Sequence, residues 1–152
     1  MRLYQARGGQ STAASGTETA LVITAPSDCV VEIRRIRVSQ NTHNSSEGYG
    51  LTVQRATAAG SGGAAVTAQP FEPSDAATSA TVASGPTTEP TYTAGAIVAD
   101  CNWNAVVGRD IVWAPGEGPK LAPTNILGIF VTSPAGATTF TPSVEIEFAE
   151  IG

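Results

Sequence analysis

Residues 29–40 read CVVEIRRIRVSQ and are rich in the β-branched side chains that favour strands. Apolar side chains occupy odd positions up to Ile33 and even positions from Ile36 onward. Because successive side chains of a strand point to opposite faces, one flat strand cannot place both sets on the same face. The pattern predicts either a β-bulge at Arg34 and Arg35 or a strand that leaves one sheet and joins another.

Short segments of the same extended kind lie on both sides of this stretch. They include residues 18–24, 49–56, 125–133 and 142–151, and Gly, Pro, Asn and Asp mark turns between them. No window of the chain keeps helical spacing over about ten residues. About seven to nine short strands, with turn signals at intervals of about 8–12 residues, are typical of antiparallel sandwiches and barrels. We therefore expect residues 18–152 to form a single all-β domain, an antiparallel β-sandwich of the jelly-roll kind.

Composition and charge argue against several partners. Charged residues make up only 14% of the chain, and its formal net charge is −5. A nucleic-acid-binding protein needs a basic face, and an anionic membrane attracts basic segments, so we expect neither partner. No apolar run reaches the roughly 18 residues of a membrane span. Because the first residues also lack the apolar centre of a signal peptide, we expect synthesis in the cytoplasm.

The sequence predicts no catalytic, cofactor or metal site, and we expect the protein not to be an enzyme. His43 is the single histidine and lies in a polar loop, whereas zinc needs about four close ligands. A serine or cysteine nucleophile usually needs a positioned base, and the chain offers no imidazole besides His43. Glu145 and Glu147 alternate on the last predicted strand, which is typical of a solvated strand face.

Cys29 and Cys101 are interpreted as small core or half-buried residues. A cytoplasmic protein keeps its thiols reduced. A disulfide between the two would require their strands to lie side by side, and the sequence does not decide whether they do.

The two tryptophans have different sequence contexts. Trp113 lies in an apolar segment, which predicts a place in the core or at a subunit interface. Trp103 lies between two asparagines, which favours exposure. One exposed aromatic ring would support carbohydrate binding only weakly.

Three of the chain's eight Lys and Arg residues lie within four positions: Arg34, Arg35 and Arg37. One interpretation pairs them with Glu145 and Glu147 in a charged ladder on the outer surface. The other is that one or two of them contact a neighbouring subunit, since the planar arginine fork suits interface carboxylates.

Residues 1–17 are polar, small and without a clear hydrophobic period, which predicts an extended N-terminal arm. A polar arm can become ordered by adding a strand to a partner's sheet edge. The alternative is a frayed terminus.

The texture of the chain resembles that of the capsid decoration (cement) proteins of tailed dsDNA bacteriophages. The stretches QPFEPSDAATSATVASGPTTEPT (residues 69–91) and ILGIFVTSPAGATTFTPSVEIEFAE (residues 126–150) suggest the likeness, as does the predicted arm. The resemblance implies a homotrimer on the virion surface that binds the major capsid protein and bridges neighbouring capsid subunits. In such an arm, Leu3 and Tyr4 would fill capsid pockets, while Arg2 and Arg7 would contact acidic capsid surfaces.

Two other functions stay open at this point. One is a tail- or fibre-associated adhesion module, and the other is a carbohydrate-binding β-sandwich. Either should expose a cluster of aromatic side chains on one concave face.

Overall fold

The computed structural model describes residues 1–9, 16–40, 46–137, 139 and 141–152, which contain strands and no helix. Sheet I consists of β1 (Arg2–Gly8), β3 (Val30–Ser39), β6 (Gln69–Pro70), β9 (Arg109–Val112), β10 (Lys120–Leu121) and β12 (Ser143–Ile151). Sheet II consists of β2 (Gly16–Thr24), β4 (Gly48–Ala58), β5 (Ala64–Val66), β7 (Thr81–Ser84), β8 (Thr91–Asn104) and β11 (Ile126–Ser133). Accordingly, no helix of the described residues could cross a membrane.

The strand order is that of a jelly roll. Sheet I runs β10-β3-β12-β1-β6, with β9 also paired to β3, and sheet II runs β5-β7-β2-β11-β4-β8. The longer strands therefore give β1-β12-β3-β9 in one layer and β2-β11-β4-β8 in the other, and every pairing is antiparallel. This arrangement of two Greek keys confirms the prediction of an antiparallel jelly-roll sandwich.

The core lies between the two sheets, where alternate side chains of each strand meet. On β12, Val144, Ile146 and Phe148 point inward and are fully buried, while Glu145 and Glu147 point outward. Fully buried side chains of sheet II face them: Leu21, Leu51, Val53 and Leu127. Burial of each large apolar side chain contributes about 1.5–3 kcal/mol, so this two-residue period is the main force that fixes the register.

A β-bulge interrupts β3 where the sequence changes its period. Phe148 lies opposite Ile33 and Glu147 lies opposite Arg35, so Arg34 is the extra residue on β3. Ile33 and Ile36 are consequently both buried. The bulge alternative is thus confirmed, and β3 stays in one sheet along its whole length.

The prediction of an extended arm is wrong for residues 2–8. They form β1, which pairs with β12 along its full length from Arg2 to Gly8. Tyr4 is fully buried, and its ring stacks on Phe148 at a centroid distance of 5.5 Å. The inward face of β1 offers only Tyr4 and Ala6, and this small apolar set hides the two-residue period from sequence reasoning. Residues 10–15 of the predicted arm lie outside the described residues.

The outermost strand of sheet II, β8, is longer and less regular than expected. The sequence predicts separate short strands at residues 95–100 and 104–108, yet residues 91–104 form one strand and residues 105–107 form a turn. Its pairing with β4 shifts register three times between Val53 and Ala58. Gly95 has a φ of 73°, a conformation in which a side chain would be strained. The strand continues through Gly95 with an irregular pairing to β4.

Candidate interaction surface on the outer face of sheet I

The outward side chains of sheet I form the candidate functional site, which we call the outer face. The alternation that buries Tyr4 and Phe148 sends their neighbours to this side. Its members are Leu3, Gln5 and Arg7 of β1, Glu145 and Glu147 of β12, Arg35 and Arg37 of β3, and Asp110 and Val112 of β9. The β3 bulge adds Arg34, so a single local irregularity brings three arginines to one surface.

One end of the outer face is a charge ladder built from four strands: Asp110, Arg37, Glu145 and Arg7. Arg37 Nε donates to Asp110 Oδ1 at 3.0 Å, and Arg37 Nη1 lies 3.6 Å from Glu145 Oε1. Arg7 lies opposite Glu145 in the register, and its Nε donates to Ser143 Oγ at 2.5 Å. Partly exposed pairs of this kind contribute only about 0.2–1 kcal/mol each, so the ladder orders the surface more than it stabilises the fold.

Arg35 connects the ladder to the middle of the outer face. Its Nη2 donates to Asp110 Oδ2 at 2.7 Å, and its Nη1 donates to Glu147 Oε1 at 3.3 Å. The predicted pairing with Glu145 and Glu147 is therefore confirmed within one chain for Arg35 and Arg37, whereas Arg34 pairs with Glu32 instead. A contact of the arginines with a second subunit stays a prediction.

The loop after β9 folds over the outer face and buries a carboxylate. Glu32 points to this side but is only 1% exposed, because the loop lies on top of it. Its Oε1 accepts hydrogen bonds from the backbone N–H of Gly116 at 2.7 Å and of Gly118 at 3.2 Å. Its Oε2 lies 3.1 Å from Arg34 Nη2. One buried side chain thus holds both the loop and the bulged arginine in place.

Next to this loop the outer face becomes apolar. Val112 is 68% exposed and Phe71 is 50% exposed, while Leu3 and Trp113 are half-buried. Phe71 donates its N–H to the carbonyl of Leu3, which places it beside Leu3 at the β1–β6 edge. We call the depression of about 360 Å³ around Trp113 the Trp cavity; it is lined by Met1, Leu3, Arg34, Arg35, Val112, Trp113, Pro115 and Glu147.

The two tryptophans do not both match their predictions. Trp103 is only 4% exposed and packs against Tyr49 at a ring distance of 5.7 Å, so the prediction of an exposed Trp103 is wrong. Its asparagine neighbours point away from the core because the strand alternates, and only the tryptophan points inward. Trp113 contacts the core yet keeps part of its ring at the surface. A place for it at a subunit interface stays a prediction.

Most of the predicted contact residues lie on the outer face. Those that share it are Leu3, Arg7, Arg34, Arg35 and Arg37. Tyr4 is separate: its ring is in the core and its hydroxyl donates to the carbonyl of Ala76 at 2.9 Å, so its assignment as a capsid anchor is wrong. Arg2 is also separate and lies 4.0 Å from Asp75, toward the loop that follows β6.

Two further carboxylates hold loops, and sequence reasoning missed them. Glu150 is 8% exposed and accepts from Thr78 Oγ1, from Ser79 N at 2.8 Å and from Ala80 N at 3.0 Å. Glu89 likewise accepts from the hydroxyl of Thr19. Glu89 lies in an ordinary polar context, whereas Glu150 has the same strand parity as the inward-facing Val144, Ile146 and Phe148, which is a signal that the sequence interpretation did not use.

Tyr92 takes part in the Glu89 contact network on sheet II. Its hydroxyl lies 2.7 Å from Thr19 Oγ1, and its ring packs against Phe130 at 5.0 Å. Burial raises the pKa of Tyr92 to about 12; the Thr19 hydrogen bond lowers it, and the charge of Glu89 raises it. The phenol therefore stays protonated over the neutral range.

Both cysteines are free, half-buried thiols, in agreement with one of the two placements expected for them. Cys29 precedes β3 of sheet I, whereas Cys101 lies on β8 of sheet II. Burial raises the pKa of each thiol above its usual value. No cluster of three or more His, Cys, Asp or Glu side chains suited to a metal ion occurs among the residues with described coordinates, and His43 is outside them.

Comparisons with known proteins give no relative for this chain. No protein-family model matches it, and neither the curated proteins nor the solved structures contain a match.

Proposed function

We propose that the protein is a capsid decoration protein of a tailed bacteriophage, which binds an assembled shell and bridges its subunits without performing chemistry. The observation that supports this most is the exposed apolar group on the outer face, beside charges that already have partners within the chain. Exposed apolar side chains grouped on a rigid sheet are typical of a protein-binding surface. The resemblance of the sequence to decoration proteins gives the partner.

The β1–β6 side of the outer face is the proposed capsid contact. Phe71 supplies a half-exposed aromatic ring, and Leu3 supplies an apolar neighbour on the adjacent strand. Arg7 is exposed at the other end of β1 and suits an acidic capsid surface. Aromatic and arginine side chains are common among the few residues that provide most of the binding energy at a protein interface.

The opposite side of the outer face, with Arg34, Arg35 and Trp113, is left for contact between copies of the protein. A homotrimer would place three capsid contacts on one particle. Binding only the assembled shell stabilises it by RT ln(1 + [L]/Kd) per site, about 2.7 kcal/mol when the free concentration is 100 times Kd. Joining several contacts in one oligomer raises the effective affinity further through multivalency.

The test is binding to capsids of the encoding phage that were assembled without this protein. Electron microscopy should show saturable occupancy at symmetry-related positions, and decorated shells should resist heat or denaturant better than bare shells. Phe71→Asp should abolish occupancy while leaving the thermal unfolding of the free protein nearly unchanged. The matched control is Ile97→Asp, because Ile97 is similarly exposed at 51% but lies on β8 of sheet II. Bare shells after incubation with the wild-type protein would refute the proposal.

Carbohydrate binding is the second candidate, and the Trp cavity favours it. A half-exposed Trp113 ring beside the polar groups of Arg35 and Glu147 is the combination that sugar sites use for stacking and hydrogen bonding. Titration with soluble glycans, followed by tryptophan fluorescence, tests this function. Saturable quenching in the wild type, together with a heat of binding in calorimetry that is lost in Trp113→Ala, would support it over decoration, provided that capsid binding fails.

A further inference from the structure

The turn between β8 and β9 presents two adjacent valines to solvent. Val106 is 53% exposed and Val107 is 83% exposed, and we call this pair the Val tip. Asn104 holds the turn: its carbonyl accepts from Val107 N at 3.1 Å and from Gly108 N at 2.9 Å, and its Oδ1 accepts from Val106 N at 2.9 Å. The Val tip is therefore fixed in place.

Turn chemistry does not account for the valines. Gly, Pro, Asn, Asp and Ser dominate tight turns because their backbones or short side chains favour them. Gly108 meets such a demand, since its φ is 78° and an added Cβ would lie 2.8 Å from the carbonyl oxygen of Val38. Val106 and Val107 meet none, and both expose apolar surface to water. A rigid apolar projection of this kind is suited to filling a recess on another molecule.

The same chain contains a recess of matching character. The Trp cavity is bordered by Val112, Trp113 and Pro115, and it lies at the far end of β9 from the Val tip. The charges that line the cavity already have partners within the chain: Arg35 Nη1 lies 3.3 Å from Glu147 Oε1, and Arg34 Nη2 lies 3.1 Å from Glu32 Oε2. An uncharged apolar tip can therefore enter the cavity without disturbing these pairs, and a second copy of the chain offers such a tip.

We propose that the Val tip of one copy inserts into the Trp cavity of a second copy. This contact rests on the self-association in the proposed function, which it deepens by naming the two surfaces. The Val tip and the cavity are different patches about 10–13 Å apart along β9, so the contact is heterologous. Every copy donates one tip and accepts another, and a suitable rotation closes such contacts into a ring.

Two single substitutions remove the two halves of the contact separately. Val107→Asp charges the Val tip, and Val112→Asp charges the cavity rim; both side chains are largely exposed, at 83% and 68%, so the fold should survive. Each should weaken association by at least about tenfold, because an apolar side chain that the contact would bury is replaced by a charge. Ile97→Asp is the matched control and should associate as the wild type does. Unchanged circular dichroism and thermal unfolding verify that each variant is folded.

Mixing the two defective variants gives the sharpest test. The Val112→Asp protein keeps an intact tip and the Val107→Asp protein keeps an intact cavity, so a one-to-one mixture should form heterodimers and no ring. Sedimentation velocity should then show monomers for each variant alone and dimers for the mixture. Monomeric variants whose mixture stays monomeric would overturn the heterologous pairing.

The outcome for the wild type separates this inference from the proposed function. Oligomers that persist in both variants would overturn the tip-in-cavity contact and leave self-association in place. A wild-type monomer at all accessible concentrations would also overturn it, while capsid occupancy in the separate binding assay would still decide the decoration role.

Discussion

Glu32→Gln is expected to destabilise the protein strongly, although it changes one atom type. The glutamine Oε1 can still accept from Gly116 N and Gly118 N, so the loop contacts survive in part. Its amide would face Arg34 Nη2, now at 3.1 Å from a carboxylate oxygen, and the buried guanidinium would lose its charged partner. Removing one member of a buried pair costs about 3–5 kcal/mol. For a domain of this size that corresponds to a fall in Tm of roughly 6–20 °C.

The assay is thermal and urea unfolding of Glu32→Gln beside two other variants. Glu145→Gln is the control on the partly exposed charge ladder and should cost no more than about 1 kcal/mol. Arg34→Met should lower the free energy of unfolding by less than Glu32→Gln does, because the Glu32 carboxylate then keeps its two backbone N–H donors. If the free energy of unfolding of Glu32→Gln is within about 1 kcal/mol of the wild-type value, this carboxylate does not hold the loop and the Trp cavity lacks a rigid wall.

Four further predictions concern the first strand, the core and sheet II. Tyr4→Phe should lower the free energy of unfolding by about 0.5–1.5 kcal/mol, because it loses the hydrogen bond to the Ala76 carbonyl. Deleting residues 1–8 should lower it by more than about 3 kcal/mol, because the buried Tyr4 ring is then also lost. Urea unfolding measures both changes. Tyr92 has a folded pKa of about 12 against an ordinary 10.0, so its stabilisation is complete below about pH 10 and is lost as the pH rises toward 12. Between pH 10 and 12, the free energy of unfolding should fall more steeply with pH for the wild type than for Tyr92→Phe. Equal slopes for the two proteins would contradict the raised pKa of Tyr92. Gly128→Ala should cost about 1–3 kcal/mol in thermal unfolding, because its Cβ would lie 2.6 Å from Cε1 of the packed Tyr92 ring; a neutral effect would mean that the ring moves freely.

Much of the fold could be predicted because burial imposes a two-residue period on the longer strands. The alternation over residues 142–151 and the reversal between Ile33 and Ile36 follow directly from which side chains enter the core. The first strand could not be predicted in this way. Tyr4 is the only large apolar side chain on its inward face, and its partner strand lies more than 130 residues further along the chain. Such a strand is defined by its pairing and not by its own composition.

The candidate surface could be predicted in part. The arginine–glutamate pairing followed from strand parity, since Glu145 and Glu147 share a face. The Trp cavity could not be predicted, because it depends on how an irregular loop folds over Glu32. Sequence neighbours also misdirected the assignment of Trp103, whose flanking asparagines lie on the opposite side of the strand.

The irregular pairing of β8 affects how the protein behaves at high concentration. A long outermost strand offers unpaired N–H and C=O groups to other chains and can promote aggregation. In this molecule the first half of β8 is distorted by its register shifts, and the regular second half presents the charged, exposed Asp100. Distortion and charge both oppose strand-by-strand fibril growth at that border. With the proposed decoration role, which requires many copies per particle, the protein would thus accumulate to high levels without precipitating through its open edge.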